Sequence, residues 1–213
     1  WAMSSWQQIV FGELLMQIWH SVSISLMSAV AVAVVALFIA IAARLDKSRY
    51  ALIATKISTL GYAIPGTVLA VGVFVPVAWL DNWLIANISV FSGSDAIFKG
   101  TIFAMLIALL IRFLALGVQS VDAGMKRIRN THIEAAASLG ATPFSTVYRV
   151  YLPLIKSALG VSMLMVFVDT MKEMPITLMM RPFNWDTLAV RIFAFTSEGL
   201  YDKASFPALA IVL

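Results

Sequence analysis

The chain has 213 residues, 61% of them hydrophobic and 12% charged, with a net charge of +4 and no cysteine. Soluble domains run to about 45–50% apolar and about 25% charged residues, so this balance excludes an ordinary soluble domain and points to a membrane protein. The missing thiols exclude disulfide frameworks and thiolate metal sites, and the basic residues sit in short loops between apolar runs, a topology pattern and no nucleic-acid footprint.

Residues 1–18 carry Trp1, Trp6 and a single charge, Glu13, with Trp19 just beyond. Tryptophan favours the membrane–water boundary, so this segment is expected to be interfacial. A first span is predicted at about 19–43, long enough for the roughly 20 residues a bilayer requires. Its alanines, Ala29, Ala31, Ala33 and Ala36, allow another helix to come close. His20 reads as an interfacial residue rather than a titrating functional group. A second span, about 57–80, is interrupted by Gly61, Pro65, Gly66, Gly72 and Pro76. Backbone groups freed at such breaks persist only where protein or a wet cavity covers them. Pro65 and Gly66 are therefore candidates for lining a substrate path, with an ordinary kinked helix as the alternative.

Residues 81–100 read as a loop with Gly93 and Asp95. A third span follows at about 101–118, and Arg112 within it is expected to snorkel to the interface. Val121, Met125 and Ile128 fall at helical spacing and continue that span as an amphipathic helix.

The stretch from Thr131 to Pro153 predicts a helix, a sharp turn and a second helix. Thr131 and Glu134 stand at capping-box spacing. Ala135, Ala136, Ala137 and Leu139 are good helix formers. Gly140 sits where the chain must turn left-handed. Thr142 and Pro143 restart a helix as cap and first residue, and Pro153 is expected to break or kink it. The apolar residues Ala135, Ala136, Leu139 and Phe144 in a region facing water suggest a partner surface, with a plain helical hairpin as the alternative.

A fourth span is predicted at about 157–180 and a truncated fifth at about 204–213, with 181–203 as a re-entrant or surface segment. Asp169, Lys172 and Glu173 occupy positions i, i+3 and i+4 of one helical face. Ionisable groups within a span usually face the bundle interior or a wet cavity. Asp169 and Glu173 are therefore substrate-path candidates, and no metal ligand is assigned with certainty. The competing reading is a self-neutralising ion cluster at the outer interface. Two carboxylates near an outer mouth would favour a hard cation.

Basic residues concentrate in 44–56 and 119–156, while the segments 1–18, 81–100 and 181–203 are on balance acidic. The positive-inside rule then places 119–156 in the cytoplasm and 1–18 outside. The sequence starts at Trp1 and stops at Leu213 within an apolar run, and reads as one transmembrane domain, 1–213, incomplete at both ends.

Glu134-Ala135-Ala136, three residues, Gly140, nine residues, then Val150-x-Leu152-Pro153 resembles the signature loop of inner-membrane permeases of ATP-binding-cassette (ABC) importers. Val150 stands where the family usually has isoleucine. Lys172-Glu173-Met174-Pro175 and the run from Arg181 to Ala189 are similar to the late part of ferric-iron permeases, as is the segment around Arg112. Thiamine and phosphonate permeases share related segments. The resemblance implies an all-α polytopic bundle, a type I importer core, with a cytoplasmic coupling-helix hairpin. It implies docking on an ABC ATPase dimer through Glu134, Ala135, Ala136, Leu139, Gly140, Phe144, Val150 and Pro153. ATP and Mg would be bound by that partner and no cofactor by this chain. A second permease half, fused or separate, and a periplasmic substrate-binding protein are the other implied partners, besides membrane lipid.

The residues themselves agree in what they lack. No G-x-x-x-x-G-K-[ST] phosphate loop, H-E-x-x-H or G-x-S-x-G occurs, so no P-loop ATP site or familiar catalytic constellation is expected. The leading expectation is a permease subunit for ferric iron working by alternating access. The alternatives are a thiamine, polyamine or phosphonate cargo, or a membrane scaffold or intramembrane enzyme.

Overall fold

The computed structural model describes residues 2–45, 53, 57–58, 60–88 and 96–212. Trp1, the loop residues Asp46, Lys47, Arg49 and Lys56, and Gly93 and Asp95 lie outside them. All regular elements among the described residues are helical: α1 (Ala2–Leu45), α2 (Gly66–Asn87), α3 (Ile102–Lys126), α4 (Asn130–Ser138), α5 (Pro143–Thr146), α6 (Leu152–Met171), α7 (Pro175–Met180), α8 (Leu188–Ser197) and α9 (Tyr201–Val212). Stretches Gly12–Arg44, Gly66–Asn87, Ile102–Lys126 and Phe144–Met171 are long and apolar enough to cross a membrane. The chain has the all-α architecture of a polytopic membrane bundle.

Two compact units divide the chain: Trp1–Met27, Pro65–Leu109 and Val168–Leu213 form the first, Ser28–Ile64 and Leu110–Phe167 the second. In the second unit, Ala36 and Ala40 of α1, Val118, Val121 and Met125 of α3, Ile128, and Tyr151 and Ile155 form a buried core. The expected amphipathic continuation of the third span is thus one unbroken helix whose apolar stripe faces inward. Small residues set the spacing. A Cβ added at Gly117 would come within 2.5 Å of Val32 and 3.2 Å of Ala36 on α1, so glycine is what lets α3 lie this close.

The second predicted span starts later than expected. Gly61–Ala63 forms a 3-10 turn, Ile64 and Pro65 are extended, and α2 begins at Gly66 and runs through Pro76. The break frees the Ile64 carbonyl, and Arg112 Nη1 donates to it at 2.8 Å. Arg112 therefore satisfies a backbone acceptor that lipid would leave bare, rather than simply snorkelling. Gly61 is required at the same contact, because a Cβ there would overlap the Ile111 carbonyl.

The fourth span also ends early. α6 stops at Met171, since Pro175 has no N–H to extend the ladder. Lys172 N–H bonds to Asp169 O at 3.3 Å and Glu173 N–H to Thr170 O at 3.1 Å, a tightened last turn. Pro175 then opens α7 as its first residue, and α7 packs along α2 in the first unit. Residues 181–203, expected as a re-entrant or surface segment, contain the ten-residue apolar helix α8.

Candidate functional site

The turn between α4 and α5 is built by backbone rules. Gly140 has φ +78°. Its N–H bonds to Ala137 O at 2.9 Å, and the Ala141 N–H reaches back to Ala136 O at 3.0 Å. These two bonds are the Schellman motif, which closes the carbonyl end of α4 and needs a residue free of Cβ strain at the turn. On the far side Thr142 Oγ1 accepts the Ser145 N–H at 3.3 Å, and its carbonyl accepts the Thr146 N–H. The sequence reading of Gly140, Thr142 and Pro143 holds.

The expected capping box does not form. α4 starts two residues earlier, at Asn130, with Arg129 in the cap position in place of Thr131 and no side-chain cap bond. Thr131 is already inside the first turn. The start is set by another helix: Arg44 Nη2 of α1 donates to Ile128 O at 2.8 Å and to Asn130 Oδ1 at 3.2 Å. A cation from the neighbouring rod anchors the chain entering α4, and this long-range bond outweighs the local capping option.

Pro153 does not break the helix either. Residues Val147–Tyr151 widen into a π turn, and Leu152 N–H bonds to Val147 O. In an ordinary α-helix the Pro153 ring would press on the Arg149 carbonyl with no N–H to offer it. The wider turn absorbs one extra residue, so α5 and α6 continue as the single stretch Phe144–Met171.

What this elbow presents is apolar. Leu139 is 88% exposed and Phe144 82% exposed, one on each side of Gly140. Tyr148, four residues after Phe144, is 68% exposed; sequence reading passed over it, although its spacing from Phe144 was a usable signal. Glu134, Ala135, Gly140 and Pro153 are exposed, and Ala136 and Val150 half-buried. Large apolar side chains held in the open on a turn fixed by backbone bonds make this elbow a candidate partner surface. A Gly140→Val variant forces a β-branched residue into the left-handed region, which costs about 1–2 kcal/mol or more. If the turn docks an ATPase subunit as the signature-loop resemblance implies, the expected outcome is normal membrane insertion with ATP hydrolysis uncoupled from uptake, read by parallel hydrolysis and uptake assays. Normal coupled uptake would count against a docking role for the turn.

The first unit holds a second polar constellation. His20 is buried and stacked on Trp185 with ring centroids 4.0 Å apart. Its Nδ1 lies 3.2 Å from the Asp186 carbonyl. Ser21 Oγ accepts the Leu188 N–H at 2.8 Å, and Thr187 Oγ1 accepts the Val190 N–H at 3.4 Å, so two hydroxyls secure the start of α8. Arg181 pairs with Asp186 and Arg191 with Glu13. Burial, and then the nearby Arg191 charge, pull the Arg181 guanidinium below its ordinary value without discharging it. Together these contacts fasten the Arg181–Leu188 loop onto the first part of α1.

The substrate-path candidates fall in this unit too. Pro65 is extended and exposed, and Gly66 is the buried first residue of α2. Asp169 is half-buried near the end of α6. Glu173 is buried beyond that end, where its carbonyl accepts the Thr177 hydroxyl at 2.5 Å. Asp169, Lys172 and Glu173 thus do not share one continuous helical face, because the helix has stopped between them.

Asp81 is a residue that sequence reading missed. It was placed in a loop, yet it belongs to α2 and is fully buried. Its carboxylate accepts the N–H groups of Ile97 at 3.1 Å, Phe98 at 3.0 Å and Lys99 at 2.8 Å. The available signal was a lone carboxylate amid Trp79, Leu80 and Trp83, since a charge there needs a dedicated set of donors.

Among the described residues, four helices long and apolar enough to cross a membrane, with an elbow of exposed apolar side chains after the third, define a polytopic membrane protein. Residues 33–213 match the family described as the binding-protein-dependent transport system inner membrane component, and the chain belongs to that family of ABC-importer permeases. It is 35% identical over 127 residues to PhnV of Salmonella typhimurium, named as a 2-aminoethylphosphonate transport system permease protein, with 58% of this chain and 46% of that one covered. It is 25% identical over 203 residues to the Fe(3+)-transport system permease protein FbpB 2 of Haemophilus influenzae, with 95% of this chain and 37% of that one covered. The chain thus spans less than half the length of these relatives. Its fold is that of a bacterial ABC transporter involved in alginate import, with a TM-score of 0.73 at 18% identity over 94% of this chain and 74% of that one. It also matches bacterial alginate ABC transporter in complex with alginate pentasaccharide-bound periplasmic protein, with a TM-score of 0.66 at 16% identity over 93% and 75% of the two chains.

Proposed function

We propose that the chain is the transmembrane part of an ATP-driven inner-membrane importer that takes ferric iron from a periplasmic binding protein. The α4–α5 elbow would be cytoplasmic and residues 1–18 periplasmic, as the distribution of basic residues suggests. The observation that carries the reading is the elbow itself: Leu139 and Phe144 exposed on a turn fixed by the Gly140 backbone bonds. Glu134, Ala135, Ala136, Val150 and Pro153 complete the surface offered to an ATPase dimer, which would bind ATP and Mg. A second permease half would close the path. For coupling, the ATPase must bind the inward-facing and outward-facing states with different affinity. Asp169 and Glu173 in the first unit, with the Pro65–Gly66 break, are the groups assigned to the path.

Similarity to a ferric permease over 95% of the chain supports the iron cargo. A second reading, a phosphonate cargo, is favoured by the higher identity to PhnV over a shorter stretch. Vesicles carrying the assembled transporter and its binding protein separate the two. Iron uptake is expected to resist competition by 2-aminoethylphosphonate, and uptake of the phosphonate with none of iron would overturn the cargo. The absence of native cysteine makes the docking testable as well. A single cysteine replacing Ala136 or Leu139 should cross-link to the ATPase, and failure to capture it in active vesicles would overturn the coupling role.

A further inference from the structure

A groove of about 530 Å³ runs between α3 and α6 in the second unit. Gly124 lies so close to Ala158 that a Cβ would collide with it, which makes the floor narrow. Leu154, Val161 and Met165 form an apolar wall, and Arg127 and His132 stand at one end. The Arg127 guanidinium is exposed and has no ion pair or hydrogen bond among the described residues. His132 turns Nδ1 toward the Arg129 carbonyl at 3.3 Å, which leaves Nε2 for another partner.

The dimensions fit one leaflet. Leu154 to Met165 covers about 16 Å at the helical rise of about 1.5 Å per residue. Half of a hydrocarbon core about 30 Å thick is nearly the same length. The free cation sits at the end nearest α4, the end that the proposed topology puts at the cytoplasmic surface. Basic pockets between spans at that surface attract anionic headgroups. A helix from another chain would need to bring its own carboxylate for Arg127, whereas an acidic lipid carries the charge and the apolar length in one molecule.

We propose that this groove binds an anionic phospholipid, with one acyl chain along Leu154, Val161 and Met165 and its phosphate on Arg127 and His132. The site rests on the membrane orientation given above. It concerns a lipid held by the permease, apart from cargo and ATPase docking.

The test uses the assembled transporter, stripped of lipid in detergent and titrated in native mass spectrometry with phosphatidylglycerol, phosphatidylcholine and glycerol phosphate. Phosphatidylglycerol is expected to be retained preferentially and glycerol phosphate not to displace it. Arg127→Gln should weaken retention about fivefold, the scale of one basic residue at an anionic surface, and Arg127→Lys should recover most of it. Val161→Trp should obstruct the exposed wall and lower retention of the acyl chain, with an unchanged thermal transition showing that the fold survives. Equal retention of both phospholipids, displacement by glycerol phosphate, or no effect of Arg127→Gln would each overturn the site. So would efficient cross-linking of a cysteine replacing Val161 to the second permease half. Lipid retention is read without uptake, so its failure leaves the importer reading standing, and a failed uptake assay leaves the lipid result intact.

Discussion

A permease carrying Leu139→Asp and Phe144→Asp together inserts and unfolds like the parent but loses ATP-driven uptake at least tenfold. Both side chains are almost wholly exposed and contribute little to the fold. Burial of each against a partner would contribute about 1.5–3 kcal/mol. Every 1.4 kcal/mol is about tenfold in affinity, and a carboxylate left unpaired in that contact adds a desolvation penalty. Uptake and ATPase copurification measure the loss. A double variant that still takes up cargo at the parental rate would show that the elbow's apolar knobs carry no coupling.

The largest stability loss is expected at Asp81. An Asp81→Ala variant leaves the N–H groups of Ile97, Phe98 and Lys99 without their shared acceptor. A buried donor left unsatisfied costs about 1–3 kcal/mol, and these three are only part-buried so that water replaces part of the loss, which leaves about 2–4 kcal/mol. Asp81→Asn should fall between, because it keeps one acceptor oxygen and turns an amide NH2 toward three donors. Unfolding in mixed detergent micelles checks the order, and equal stability of the alanine variant would mean that the loop is held by something else.

Much of the fold was legible because its signals are local. Apolar run length located the four long helices but not their ends: α1 already starts at Ala2 against about 19, α2 runs Gly66–Asn87 against about 57–80, and α6 stops at Met171 against about 180. The αL requirement at Gly140 and the cap at Thr142 need only neighbouring residues, and both formed as read. Several of the failures involve partners far away in sequence. Thr131 had a good local box, but α4 starts two residues sooner, where Arg44 from another helix holds the entering chain. Arg112 looked like a residue seeking water until the Ile64 carbonyl supplied its partner. His20 was ambiguous until Trp185 and Asp186, more than 160 residues on, enclosed it. For the Asp169–Glu173 face, an unbroken helical period was assumed across the approach to Pro175, and the missing N–H there ended the helix first.

The wide turn at Val147–Tyr151 has a consequence for indels. Each residue of an α-helix advances the azimuth by roughly 100°. The wide turn absorbs its surplus residue, so Phe144 and the long helix after the turn keep nearly the phase of an unbroken helix. Deleting one residue inside the turn would restore the ordinary pitch and leave the aim of the elbow almost unchanged, whereas deleting one from the regular helix after it would swing the elbow about a quarter of a revolution around the axis. The composition of this surface can thus be intact while its aim is lost, and a single deletion past the turn is a sharper perturbation than one within it.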